Sequence, residues 1–264
     1  MVIGAHPDDC EVKIGGFLFK CCQHGHRVVM ISMTTGNTGH YEMGGGALAR
    51  RRRDEFAAAA AVMGAESLVL NVPNNGLDMS LMQRYRLIEL IREYRADIVI
   101  SHRTNDYHPD HRYTGMLVRD TSTAVNNPNV CPVTDRLERN PLYLYLADTF
   151  KDPVPFRPDL IFSIDDVVEQ KTEMYHCHES QMYEWLPWED GVLDEVPETE
   201  AERKKWVWER RKFRDADLAD NSRKELAAKY GADKGKAVKF AEALQFSEYG
   251  SSYLRDKTDA LFPF

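Results

Sequence analysis

MVIGAHPDDCE, residues 1–11, decides how the rest of the chain is read. Val2, Ile3, Gly4 and Ala5 run straight into His6-Pro7-Asp8-Asp9. An apolar run that stops at His-Pro reads as the end of a buried strand. It lies so close to residue 1 that a start further upstream stays open. Outward from it, Gly15-Gly16 leads into a helix over 17–23 that Gly25 stops. Residues 27–33 (RVVMISM) are rich in β-branched side chains and read as a second strand. Residues 34–46 are dominated by Gly and Thr and read as a loop beside a pocket. An Ala-rich helix follows over 47–63, closed by Gly64. Residues 67–72 form a third strand. Residues 81–94 form a helix, with Leu87, Leu90, Ile91 and Tyr94 at the spacing of one face. Residues 97–101 (DIVIS) form a fourth strand. This alternation of apolar strands with helices predicts an α/β fold: a Rossmann-like, mostly parallel sheet covered on both faces. Strands at 142–146 and 160–164 and a helix over 166–180 extend it. From about residue 184 the composition shifts, and the charge-dense 199–230 reads as helices packed on the domain or on a neighbouring subunit.

The chain has 264 residues, with 34 Lys+Arg against 42 Asp+Glu for a net charge of −8, and 43% of it is apolar. Such a composition folds around a core and is not disordered. Its acidity makes a phosphate backbone a poor partner, so nucleic acid is set aside. No apolar run approaches the roughly 18 residues of a membrane span, and no signal peptide opens the chain. Cys10, Cys21, Cys22, Cys131 and Cys177 make an odd, irregular set without a CxxC pair. They suggest neither a thiolate metal site nor a disulfide framework, and fit reduced thiols in a cytoplasmic protein.

Two segments carry the chemistry: His6-Pro7-Asp8-Asp9 and His108-Pro109-Asp110-His111. Composition alone produces a His-Pro-Asp triplet about 0.03 times in such a chain. Each segment follows a predicted strand. Ligands of doubly wound sheets bind beyond the carboxyl ends of the strands, so the two belong on one edge. Imidazole and carboxylate without thiolate suit a catalytic zinc that keeps a position for water. Of the adjacent Asp8 and Asp9, one suits the metal and the other the water, where a carboxylate near a cation stays ionised and serves as a base. Fe2+ takes the same donors.

AHPDDCE at 5–11 and HPDH at 108–111 resemble the LmbE-like (PIG-L) zinc-dependent N-acetylglucosaminyl deacetylases. Gly15-Gly16, Arg52-x-x-Glu55 and His178-x-Ser180-Gln181 add to the likeness, which covers 1–183 and leaves 184–264 as a helical extension. The resemblance implies that His6, Asp9 and His111 bind Zn2+ and that Asp8 is the general base. It implies that His108, as imidazolium, stabilises the oxyanion and serves as the acid toward the leaving amine, with Asp110 orienting it. Arg52 contacts the substrate or the periphery of the metal site, and His178 faces the substrate. Tyr107, beside the second motif, is a further substrate contact through its hydroxyl. The expected reaction is removal of an N-acyl group, N-acetyl first, from an amino sugar or its conjugate, by a homo-oligomer. A metal-dependent phosphoesterase and a non-catalytic carbohydrate-binding protein are the competing readings. Two tightly bound ions would mark the first, and ligand retention without turnover the second.

Overall fold

The computed structural model describes residues 1–264. Strands and helices alternate through residue 121: β1 (Val2–Gly4), α1 (Asp9–Gln23), β2 (Val29–Thr34), α2 (Gly45–Met63), β3 (Glu66–Val72), α3 (Leu81–Glu93), β4 (Ile98–Ser101) and α4 (Pro109–Thr121). β5 (Leu142–Leu146), β6 (Leu160–Ser163), α5 (Val168–Cys177) and α6 (Leu186–Glu189) follow. Then come α7 (Glu200–Arg211), α8 (Phe213–Asn221), α9 (Arg223–Tyr230), α10 (Ala232–Ala237) and β7 (Ala241–Gly250).

Successive strand residues point to opposite faces of the sheet, so each strand feeds two cores. Val2, Met30, Ile100, Leu142 and Leu144 pack on one side, with Phe17 and Leu18 of α1 and Phe56 and Ala59 of α2. Ile3, Ile31, Val99 and Tyr143 pack on the other, with Leu87 and Ile91 of α3 and Leu117 and Val118 of α4. The seven strands run in the order β3-β2-β1-β4-β5-β7-β6. The first five are parallel, and β7 is antiparallel to both β5 and β6. Chain order reverses between β1 and β4, and the crevice beyond their carboxyl ends is where such sheets bind ligands.

Three local readings of the sequence change. α1 starts at Asp9 rather than after the glycine pair, so the last residue of the first motif opens the helix. Gly15 and Gly16 lie inside this helix, and position 16 takes glycine because a Cβ there would lie 2.7 Å from Ile164 Cγ2. Gly45 and Gly46 likewise open α2 instead of prolonging a loop. The last third is helical over α7–α10, but it also contains β7, which joins the main sheet between β5 and β6. A boundary at 183/184 therefore leaves one strand of the sheet on its far side.

β7 also ties the sheet to α1. Ile14 leaves helical geometry at φ −150°, and the amides of Gly16 and Phe17 donate to the Glu242 carboxylate at 3.0 and 2.7 Å. Lys171 of α5 reaches the same carboxylate at 2.7 Å and pairs with Asp215 of α8. All three charged side chains are buried. No helix is long and apolar enough to cross a membrane.

Candidate metal centre

The turn between β1 and α1 and the segment between β4 and α4 meet at the crevice. Asp9, first residue of α1, is fixed by the backbone that precedes it. Its Oδ2 accepts the amides of Ala5 and His6, both at 2.8 Å, and lies 3.2 Å from His102 Nε2. That leaves Oδ1 to face His111 Nε2 at 3.5 Å. Burial opposes ionisation of Asp9, but His111, His102 and His6 outweigh it and hold its carboxyl well below the usual range.

α4 starts in the same economical way. His108 is its N-cap, with Nδ1 accepting the Asp110 amide at 3.1 Å and Pro109 in the first turn. Asp106 accepts the His108 amide at 3.0 Å and, through its other oxygen, His111 Nδ1–H at 3.1 Å. A histidine that donates one nitrogen to a carboxylate presents the lone pair of the other, and in His111 that is Nε2. His6 follows the same rule. Its Nε2 donates to Asp110 Oδ2 at 3.2 Å, and Oδ2 also accepts the Asn75 amide at 2.7 Å.

The result is two imidazole lone pairs, His6 Nδ1 and His111 Nε2, facing each other at 3.1 Å with Asp9 Oδ1 beside them. These separations match the edge of about 3.3 Å expected for a tetrahedron with metal–ligand bonds near 2.0–2.1 Å. Facing lone pairs repel unless a cation lies between them. The donor set therefore fits a divalent metal cofactor. Ring nitrogens of His6, His108 and His111 lie within 4.8 Å of one another, as do donor atoms of Asp9, His102 and His111. Burial lowers the His102 pKa to about 4, so its ring is neutral. Burial also opposes charge on His111, but Asp9 and Asp106 outweigh it and raise its pKa.

Asp8 stands apart from this cluster. Its Oδ2 pairs with Arg52 Nη2 at 3.0 Å, and Arg52, buried to 3% exposure, also reaches the carbonyls of Pro7 and Gly36. Arg52 thus anchors Asp8 on the wall of a cleft of about 470 Å³ that opens over the cluster. Asn74, Asn75, Tyr107, Gln181 and Trp185 line the same cleft. The Tyr107 ring is 73% exposed at the mouth, and its hydroxyl makes no hydrogen bond within the chain.

Two expected contacts are absent. Asp110 does not orient the His108 ring: its carboxylate holds His6, and only its amide meets His108. With Nδ1 accepting that amide, His108 is the neutral Nε2–H tautomer, not an imidazolium. Burial lowers its pKa further, helped by His6 and His111. His178 does not reach the cleft either. It is wholly buried, with Nε2 3.1 Å from Glu11 Oε1, because the chain passes from α5 into a π-helical turn at Ser180–Trp185. That turn aims Gln181 and Trp185 at the cleft instead. Two residues without an assigned role, His102 and Asp106, belong to the centre. Their position just past the carboxyl end of β4 was the available signal.

A family model described as PIG-L, GlcNAc-PI de-N-acetylase, matches residues 1–122. A diacetylchitobiose deacetylase of Thermococcus kodakarensis is 30% identical over 201 residues, spanning 72% of this chain and 73% of that one. The chain belongs to the PIG-L family. Among solved structures, the N,N'-diacetylchitobiose deacetylase of Pyrococcus horikoshii in complex with its inhibitor MPG superposes with a TM-score of 0.67 at 22% identity, over 93% of this chain and 82% of that one. The 4-carboxy-2-hydroxymuconate hydratase of Pseudomonas putida superposes at 0.72 and 18% identity, over 93% and 94%. One fold thus carries two differently named activities, and the fold alone does not choose between them. The PIG-L match contains every residue of the metal centre, together with Asp8 and Arg52. Gln181, Trp185 and Arg211, which also line the cleft, lie beyond it.

Proposed function

We propose that the protein is a metal-dependent hydrolase that removes an N-acyl group, N-acetyl first, from an amino sugar or amino-sugar conjugate. The observation that carries this reading is the convergence of His6 Nδ1, His111 Nε2 and Asp9 Oδ1 beside an Asp8 held separately by Arg52. In this reading His6, Asp9 and His111 hold the ion. Zn2+ is favoured because two imidazoles and one carboxylate leave a fourth position for water. When bound, the metal polarises the amide carbonyl and lowers the pKa of water at the site toward about 7.

The chain's own residues do the rest. Arg52 occupies Asp8 Oδ2, and the other carboxylate oxygen, with no protein partner, takes the proton of the attacking water. His108 donates from Nε2 to the oxygen of the developing tetrahedral adduct, a contribution of roughly 3 kcal/mol. Its N-cap bond keeps Nδ1 from carrying a second proton. The proton gained by Asp8 therefore passes to the departing nitrogen as the C–N bond breaks, leaving a carboxylate product and a free amine. Asp110 and Asp106 orient His6 and His111, and Tyr107 receives the sugar at the mouth.

The test is acetate release from a panel of N-acetyl amino sugars, with metal content measured on the same samples. Wild type releases acetate, and Asp8→Ala retains its metal but loses roughly 100-fold or more in rate. Equal rates for the two proteins across the panel refute the reading.

A further inference from the structure

The cleft holds two cations that the metal chemistry does not use. Lys13 lies one helical turn beyond Asp9 on α1, and Arg211 is the last residue of α7. Both line the cleft with Asp8, Asp9 and His6. Neither forms an ion pair or a side-chain hydrogen bond, although the surrounding cations are committed. Arg52 pairs with Asp8, Arg210 with Asp190, Lys212 with Glu209 and Arg214 with Asp215. Of the cleft's carboxylates, Asp8 is held by Arg52 and Asp9 by two amides and the histidines, while Glu189 is exposed and pairs with neither free cation.

Basic side chains that face a cleft with no direct ion-pair partner are suited to an anion, since charge-assisted hydrogen bonds to carboxylate or phosphate are strong. We propose that the substrate carries an oxyanion, carboxylate or phosphate, held between Lys13 and Arg211 while its acylated nitrogen lies over the metal centre. This rests on the deacetylase reading for the role of the centre and adds the substrate's charge class. Burial lowers the pKa of both side chains, a desolvation that a bound anion offsets. The family model matches residues 1–122, so Arg211, on α7, lies outside that match.

The test reads binding apart from turnover, using free amines that cannot be deacetylated. Glucosamine, glucosamine 6-phosphate and muramic acid are titrated calorimetrically into the metal-loaded protein and into Lys13→Met, Arg211→Met and Lys13→Arg. At least one acidic amine binds roughly tenfold tighter than glucosamine, and which one identifies the oxyanion. The gap shrinks with salt, closes in both Met variants and persists in Lys13→Arg. Equal affinity for neutral and acidic amines, no binding of any, or a gap that survives both Met variants overturns the proposal. An acid preference in a protein that releases no acetate overturns the deacetylase reading and leaves this one standing. Efficient acetate release without an acid preference does the reverse.

Discussion

Asp110→Asn keeps the shape of a buried side chain and removes its charge. In the structure Oδ2 accepts His6 Nε2–H at 3.2 Å and the Asn75 amide at 2.7 Å. A carboxylate behind a ligating imidazole fixes its tautomer and raises its basicity, and losing such a partner costs about 10- to 100-fold in metal affinity, or about 1.4–2.7 kcal/mol. Asparagine places a neutral oxygen at the same point and keeps both bonds without their charge assistance. Its loss belongs at the lower end, about tenfold. Asp110→Ala strands the Asn75 amide and frees the His6 ring, which belongs at the upper end, about 100-fold. The assay is Zn2+ titration against a chromophoric chelator, followed by acetate release at saturating metal. Affinity falls in the order wild type, Asn, Ala, and kcat recovers once the metal site is filled. Wild-type metal affinity combined with a kcat that excess metal does not restore refutes this reasoning. It would return Asp110 to the His108-orienting role that the motif implied.

Arg52→Met leaves Asp8 without its anchor: kcat falls about 100-fold through misplacement of the base, while metal bound per chain, measured on the same sample, stays at the wild-type level. A parallel loss of metal would instead make Arg52 part of the centre's scaffold. His178→Ala leaves Glu11 buried without its partner at a cost of about 3–5 kcal/mol, which lowers Tm by roughly 6–20 °C without changing KM. A raised KM with an unchanged Tm would put His178 back in the cleft.

Much of the framework is legible because it rests on local patterns. Leu87, Leu90 and Ile91 mark the buried face of α3, and the apolar runs of β1, β2, β4 and β5 mark a sheet covered on both sides. The two His-Pro-Asp segments fall at the ends of β1 and β4, where strand order alone places them together. What escapes is decided at a distance. Ala241, Glu242 and Leu244 favour helix on propensity, yet pairing with β5 and β6 makes them strand. Gly15 and Gly16 read as a break because Ile164 and Glu242, which crowd position 16, lie far along the chain. His102 has no motif around it. Its role exists only once Asp9, 93 residues earlier, reaches its ring. The Asp110 carboxylate serves His6 rather than His108 for a similar reason: hydrogen-bond direction, not proximity in sequence, assigns it.

Spatial order and order of synthesis part company at β7. β6 pairs with no strand except β7, and β5 has β7 as its outer neighbour. A ribosome therefore delivers residues 142–163 long before the strand that joins them. Until 241–250 emerge, the edge of β5 and both edges of β6 stand open, and the α1 amides of Gly16 and Phe17 lack the Glu242 carboxylate. The helix that carries Asp9 thus receives this support from a strand made long after it. The nascent chain must hold these open strand edges away from other copies while residues 164–240 are made.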